Sequence, residues 1–268
     1  MKILNMKILK LAAITVSTRT IYRFNWLSGI AAEFLNLGLL LIFWNAALGA
    51  SGIIGTYDFP ALFKYYLLVS IMQKFSMTES GSKISEDILS GRLSFFLLKP
   101  FSYHKTVISG DLSDKFENLF QAAAMVIFYL AISVFFGFDI RIRFSLFIVI
   151  AVINGIVLTY LINYITGMIA FWTKSAWALL LALSVFARVF SGQMFPVDIV
   201  PDQFKIIFVL SPFYYSIFFP VFLAMSSDIS VYSLFWGIGT GFAWIIFLIV
   251  LCRVMFFLGL KHYEATGI

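Results

Sequence analysis

Few residues in this sequence could do catalytic chemistry, and their spacing matches no common catalytic or metal-binding motif. The chain has two histidines, His104 and His262, and one cysteine, Cys252. One cysteine cannot form a disulfide within the chain, and no HExxH, CxxC or glycine-rich phosphate loop is present. Both histidines lie in polar stretches, so we predict that they face solvent or lipid headgroups. We also predict that the chain is not an enzyme and carries no cofactor or metal of its own.

Two charged residues, Glu33 and Arg188, stand out because they lie inside long apolar segments. A charge near the middle of a bilayer costs a few kcal/mol unless it faces other helices or water. One hypothesis is that the two residues pair with each other, or line a substrate path. The alternatives are that they only fix helix packing, or that one of them lies at the membrane interface.

The overall composition predicts an integral membrane protein. Hydrophobic residues make up 62% of the 268-residue chain and charged residues only 12%, about half the charged fraction of a soluble domain. The formal net charge is +6, but the basic residues cluster at the ends of apolar runs, where they meet anionic lipid headgroups. This placement argues for membrane lipid as the partner of the basic residues and against nucleic acid.

The apolar runs predict an all-α membrane fold with six transmembrane helices, because a span needs about 20 apolar residues. The second run is the weakest, since it contains Lys64 and Lys74. Lys64 lies near one end, where it can extend out of the span, and Lys74 lies near the other end. Residues 1–24 are basic and contain no acid, which favours an amphipathic helix on the membrane surface. The six predicted spans are 26–48, 60–77, 116–138, 144–172, 175–194 and 231–260.

The distribution of charge predicts the orientation of the chain. Six spans place both termini on the side of the long polar stretch 78–115, and that side is rich in lysine and arginine. The opposite loops are richer in acid, apart from Arg141 and Arg143. By the positive-inside rule, both termini are therefore expected in the cytoplasm. We see no internal repeat and predict a single domain over 1–268.

Two segments between the spans differ from them in composition. The polar stretch 78–115 contains a short predicted helix that stops at Gly91, followed by an amphipathic piece that stops at Pro100. Four of the six prolines fall between Pro196 and Pro220, a density that rules out one straight helix. We predict a re-entrant helical hairpin over 196–224, on the extracellular side.

This order of elements, together with several local strings, resembles the permease subunit of the type 2 ATP-binding-cassette exporter family. Within that family the chain is similar to a bacterial branch of poorly characterised transport systems. The resemblance runs the full length of the chain, and the strings near Gly91 and around the prolines are its most specific parts. The strings are IYRF (21–24), GRLSFFLLKPFSY (91–103), SGQMFP (191–196), SPF (211–213), FP (219–220) and YEATG (263–267).

The resemblance implies a division of labour between subunits. ATPase subunits, as two copies or a pair, would hold ATP and magnesium in the cytoplasm, and a second permease, identical or related, would complete the transporter in the bacterial inner (plasma) membrane. Substrate would leave the cytoplasm along spans one, two and five. A coupling helix between spans two and three would dock the ATPase, through Glu86, Asp87, Gly91 and Arg92. The outer hairpin would form an extracellular gate, with Phe195, Pro196, Pro212 and Phe213.

Other readings of the sequence predict different features. The polar stretch 78–115 could instead be a solvated loop without a partner. A stand-alone transporter driven by an ion gradient would show inverted repeats and matched charges in its two halves, and we find neither. A membrane scaffold without transport activity would bind no ATPase and would tolerate neutral residues at Glu33 and Arg188.

Overall fold

The structure is a computed structural model, and it describes residues 23–49, 52–98, 102–137, 145–173, 176–226 and 230–263. These residues are helical, apart from short connections and one isolated bridge between Ile54 and Tyr57. Helices suit a lipid environment because each helix satisfies its own backbone hydrogen-bonding groups. Most of the predicted surface helix 1–24, and Arg141 and Arg143, lie outside the described residues.

Eleven α-helices follow one another in these described ranges. Two short 3₁₀ turns, Ile169–Phe171 and Val197–Ile199, accompany them. The helices are α1 (Arg23–Leu48), α2 (Phe59–Ser76), α3 (Ser80–Leu89), α4 (Leu93–Leu97), α5 (Tyr103–Phe136), α6 (Leu146–Met168), α7 (Trp177–Phe190), α8 (Asp202–Val209), α9 (Pro212–Ser216), α10 (Phe218–Met225) and α11 (Val231–His262).

Four helical stretches in the described part of the chain are long and apolar enough to cross a membrane. They are Ala31–Leu48, Tyr103–Phe135, Leu146–Phe171 and Val231–His262. The other two predicted spans correspond to α2, an 18-residue helix with two lysines, and to α7, an apolar helix of 14 residues. The all-helical class is therefore confirmed, whereas the six-span topology stays a prediction.

The helix that contains the third predicted span begins well before the apolar run. We expected the span to start at residue 116, but α5 is continuous from Tyr103. No proline interrupts residues 103–136, and Asp111 lies four residues before Lys115, a spacing at which opposite charges stabilise a helix. The helix begins before the apolar run because charge marks the edge of such a run and not the end of a helix, and the start of the span within α5 stays a prediction.

The chain divides into two compact units. One contains Met1–Phe75 and Leu112–Ile140, and the other contains Ser76–Asp111 and Arg141–Ile268. The first unit therefore holds α1, α2 and most of α5. The second holds α3, α4, the first turns of α5 and all helices from α6 to α11. The action of residues 1–268 as one permease domain stays a prediction.

Aromatic residues make up much of the core of the first unit. Phe63 on α2 stacks with Tyr129 on α5, with ring centroids 5.4 Å apart. Trp44 on α1 stacks with Tyr66 on α2 at 6.1 Å. Leu67 is buried beside the first of these pairs. Such ring pairs add about 0.5–1.5 kcal/mol beyond the burial of their area, so they help to hold the three helices together.

Helix α6 lies at the centre of the second unit, where it contacts α3, α7, α9, α10 and α11. Leu158 and Met168 on this helix are completely buried. Gly155 packs directly against the backbone of Ser216 on α9, where a side chain would not fit. Small residues allow helix backbones to approach this closely. They are common at helix contacts in membranes, where the hydrophobic effect does not drive helices together.

The proline-rich segment forms three short helices, α8, α9 and α10, of eight, five and eight residues. Pro212 begins α9, and the hydroxyl oxygen of Ser211 accepts the backbone N–H of Phe213 at 3.2 Å. Proline fits the first turn of a helix because the N–H that it lacks has no partner there. The predicted breaks are thus present, while insertion of this segment into the membrane stays a prediction.

Candidate functional site

The α3–α4 segment, Ser80–Leu97, carries all four residues of the predicted ATPase-coupling set. Ile84, Ile88 and Leu93 are buried in the second unit. Lys83 and Glu86 lie on the opposite side of α3 and are exposed. The segment therefore has one apolar face that attaches it to its unit and one charged face that is open to solvent.

Gly91 makes the turn between α3 and α4. Its φ angle is +75°, in the left-handed region where a residue with a Cβ atom is strained. The backbone N–H of Ser90 donates to the carbonyl oxygen of Glu86 at 2.9 Å, and that of Gly91 donates to the carbonyl oxygen of Ile88 at 3.3 Å. These bonds close the last turn of α3, as the sequence predicts.

Arg92 joins the two acidic residues of the predicted coupling set. Its Nη2 lies 2.9 Å from Oε1 of Glu86, and its Nε lies 3.1 Å from Oδ1 of Asp87. The Arg92 side chain is half exposed, so these pairs contribute little to stability and mainly orient the three side chains. The structure thus brings Glu86, Asp87, Gly91 and Arg92 into one cluster, and their action on an ATPase stays a prediction.

Tyr103 is part of the same cluster, and the sequence analysis did not assign it a role. Its hydroxyl donates to Oδ2 of Asp87 at 3.0 Å. The ring is buried, with its centroid 5.5 Å from Phe96 on α4 and 6.4 Å from Phe256 on α11. Tyr103 ends the string GRLSFFLLKPFSY, but the sequence does not reveal its contacts, because its partners become neighbours only in the folded protein.

The C-terminal end of α11 also holds the α3–α4 segment. The backbone N–H of Ser94 donates to the hydroxyl oxygen of Tyr263 at 3.3 Å, and the Ser94 hydroxyl donates to the carbonyl oxygen of Gly91 at 2.6 Å. The ring of Tyr263 meets Phe171 edge-on at 6.0 Å. Tyr263 begins the string YEATG, whose remaining residues lie outside the described part of the chain.

Helix α3 begins against the end of α6, where two glycines face each other. Gly167 of α6 packs on the backbone of Gly81. A Cβ atom at Gly81 would lie 2.7 Å from the carbonyl oxygen of Asn163. This distance is shorter than atoms allow, so the two backbones touch only because both residues are glycine. The contact sets the position of α3 on its unit.

His104 differs from its prediction. We expected it to face solvent or headgroups, but its Nδ1 shares a hydrogen bond with the hydroxyl of Tyr164 on α6. Its ring also meets Phe256 at 4.5 Å. His262 is exposed, as expected. Among the described residues, no three His, Cys, Asp or Glu side chains come together as a metal site.

The intramembrane acid Glu33 has a partner that the sequence did not predict. Lys74 Nζ on α2 lies 2.6 Å from Oε1 of Glu33 on α1, and the two side chains are only 8% and 25% exposed. The sequence placed Lys74 near the end of its span and predicted no partner for it. Arg188 is exposed on α7, in the other unit. Glu33 already pairs with Lys74 within its own unit, and a pairing of Glu33 with Arg188 stays a prediction.

The predicted gate residues lie around α8 and α9. Phe195 meets Phe208 edge-on at 6.1 Å, and Pro196 is buried. Pro212 and Phe213 form the first turn of α9. On the outside of α8, Lys205 donates to Asp202 at 2.8 Å and lowers the pKa of that carboxyl. An opening and closing movement of this segment stays a prediction.

A comparison with known families decides what kind of protein carries this site. The sequence model of the ABC-2 family transporter protein matches residues 34–267, from α1 to the C-terminal tail. The chain belongs to the ABC-2 transporter family. The predicted family is therefore confirmed. No curated protein and no solved structure matches the chain.

Membership of the ABC-2 family defines the general role of the chain. It is a multi-pass membrane protein and a permease component of an ABC transporter. ABC-2 permeases are generally non-catalytic and normally work with an ABC ATPase partner. In this ABC-2 permease the α3–α4 segment and the Glu33–Lys74 pair are two polar sites with charged side chains in contact.

Proposed function

We propose that this permease exports a substrate from the cytoplasm by using ATP that separate ATPase subunits hydrolyse. The ATPase subunits, as two copies or a pair, bind ATP and magnesium. A second permease, identical or related, completes the path across the bacterial plasma membrane. In this arrangement both termini and the α3–α4 segment lie in the cytoplasm.

The observation that carries the proposal is the two-sided character of the α3–α4 segment. A docking element must present charge to its partner and must also be fixed to the helices that move. The Glu86 side chain is 67% exposed and that of Arg92 is 50% exposed. Ile84 and Leu93, on the other face, are buried, and Gly81 packs on α6. The segment therefore meets both requirements.

The remaining helices support a path with six spans. Helix α2 holds a buried ion pair with α1, which lowers the cost of a lysine-containing span. Helix α7 has 14 residues, or about 21 Å at 1.5 Å per residue, and in this arrangement it is the fifth span, followed by the re-entrant hairpin 196–224 on the extracellular side. Phe195 and Pro212 then belong to an outer gate, while Glu33 and Arg188 belong to the substrate path or its supporting charges.

The first test reverses the charge on the exposed face of α3. Glu86→Lys is expected to reduce ATPase co-purification with the tagged permease by about tenfold, which corresponds to about 1.4 kcal/mol of binding. The reason is that an exposed charge contributes to docking and little to folding. Quantitative mass spectrometry of the purified complex measures the ratio of ATPase to permease. Asp202→Lys, which also reverses an exposed acid paired with a base, is the matched control.

A double variant separates docking from the internal ion pair. Glu86→Lys with Arg92→Glu restores a pair of opposite charges within the cluster. Both charges that the cluster presents to the ATPase are still reversed. We expect ATPase binding to stay low in this variant. Recovery of binding would mean that the pair matters only for local structure. If the unmodified, well-folded chain repeatedly yields no ATPase, the proposal of an ATPase-driven exporter is wrong.

A further inference from the structure

The two neighbouring acids of the coupling cluster have different surroundings. The Glu86 side chain is 67% exposed, whereas that of Asp87 is only 14% exposed. Both oxygens of Asp87 are engaged, Oδ1 with Arg92 and Oδ2 with Tyr103. A carboxylate that is largely buried and bonded on both sides has little capacity left for a partner protein. The Asp87 side chain therefore binds other residues of the permease itself.

The bond partner of Asp87 is held firmly in place. Tyr103 is only 4% exposed and packs against Phe96 of α4 and Phe256 of α11. It is also the first residue of α5, the helix that continues to Phe136. The Asp87–Tyr103 hydrogen bond thus joins the last turn of α3 to the start of a membrane-spanning helix.

The residue after Tyr103 extends the connection to a second helix. His104 shares a hydrogen bond with Tyr164 of α6, and its ring packs on Phe256. The first turn of α5 is therefore bonded to α3 on one side and to α6 on the other. These side-chain bonds set the orientation of the first turn of α5 relative to α3 and α6.

We propose that Asp87 and Tyr103 are positioning residues that carry movement of the α3–α4 segment to α5. Glu86 faces the ATPase, and Asp87 passes the resulting movement inward through the Tyr103 hydroxyl. This inference rests on the proposed function, because it takes the α3–α4 segment as the site of ATPase docking. It adds the inward route and assigns separate tasks to the two adjacent acids.

The test removes one hydroxyl and follows both ends of the connection. The permease is purified with its ATPase in lipid nanodiscs, and hydrogen–deuterium exchange is compared with and without ATP and vanadate. In the unmodified complex, trapping is expected to change exchange in both the α3–α4 segment and α5. In Tyr103→Phe, the ATPase remains bound and the α3–α4 change persists, while the change in α5 falls at least about twofold.

Two further variants distinguish movement from simple structure. Asp87→Asn keeps an oxygen that accepts from Tyr103, so it is expected to retain most of the α5 response. Tyr160→Phe removes the hydroxyl of another partly buried tyrosine, one with no hydrogen-bond partner among the described residues, so its response is expected to match that of the unmodified chain. If Tyr103→Phe does not fold, Asp87→Ala breaks the same bond from the other side and is expected to lose the α5 response.

The outcomes separate this inference from the proposed function. A full α5 response in Tyr103→Phe, with ATPase bound, would overturn the Asp87–Tyr103 connection alone. The connection would also be overturned if trapping of the unmodified complex changed hydrogen–deuterium exchange in the α3–α4 segment but not in α5. Failure of the unmodified chain to bind any ATPase would instead overturn the proposed function, and this connection with it.

Discussion

Lys74→Glu is expected to destabilise the first unit by about 3–5 kcal/mol, the range for leaving a buried charge without its partner. Lys74 and Glu33 lie 2.6 Å apart with little solvent around them. The substitution places two carboxylates together where water cannot screen them. Helices α1 and α2 then lose their ionic contact and gain a repulsion in its place. Thermal unfolding of the purified protein, followed by fluorescence-detected size exclusion, measures the loss.

The double swap, Glu33→Lys with Lys74→Glu, is expected to recover most of this stability. Recovery stays incomplete because Lys74 lies in the last turn of α2, where the helix dipole favours a cation by about 0.3–1 kcal/mol. Lys205→Glu is the matched control, since it reverses a lysine of an exposed pair and should change stability little. An unfolding temperature unchanged by Lys74→Glu would contradict the prediction.

A second charge swap tests the pairing of Glu33 with Arg188 that the sequence suggested. If Glu33 interacts with Arg188 in the working transporter, Glu33→Arg with Arg188→Glu should rescue transport that each single reversal abolishes. If Lys74 is the only partner of Glu33, this double variant should be as unstable as Glu33→Arg alone. Stability and transport therefore report separately on the two possible partners of one carboxylate.

The long apolar helices could be predicted from the sequence because hydropathy is a local property. Predicted spans 26–48 and 231–260 agree with Arg23–Leu48 and Val231–His262 to within three residues. The helix stop at Gly91 was also predictable, since a glycine after a short amphipathic run favours a left-handed residue. These features depend on nearby residues alone, and no tertiary contact is needed to specify them.

The polar contacts of the site could not be predicted in the same way. Glu33 and Lys74 are 41 residues apart in the chain, and a lysine near the end of a span is ordinarily expected to extend toward water. Asp87 and Tyr103 belong to different helices whose relative position depends on packing around α6 and α11. Side-chain partners across helices follow from tertiary structure, which one sequence without its relatives does not reveal.

Gly167→Ala is expected to have the second large effect, because it separates α3 from α6. An alanine Cβ at this position would lie 2.8 Å from the Cα of Gly81 and closer still to its carbonyl oxygen. Both are backbone atoms, so no side-chain rotation relieves the clash. Overpacking of this kind costs about 1–3 kcal/mol, which outweighs the gain of about 0.5–1 kcal/mol from replacing glycine in a helix.

The effect of Gly167→Ala can be measured with a probe that the chain already contains. Cys252 is its only cysteine and is buried in the second unit, so a thiol-reactive dye reports unfolding of that unit. Gly239→Ala is the matched control, because it changes a helical glycine of α11 that has open space around its Cα, and it should leave stability equal or higher. We expect Gly167→Ala to lower the unfolding temperature and also ATPase co-purification, because the α3–α4 segment depends on this contact for its position. Normal stability and normal ATPase binding in this variant would mean that the close approach of Gly81 and Gly167 is not required to present the charged face of α3.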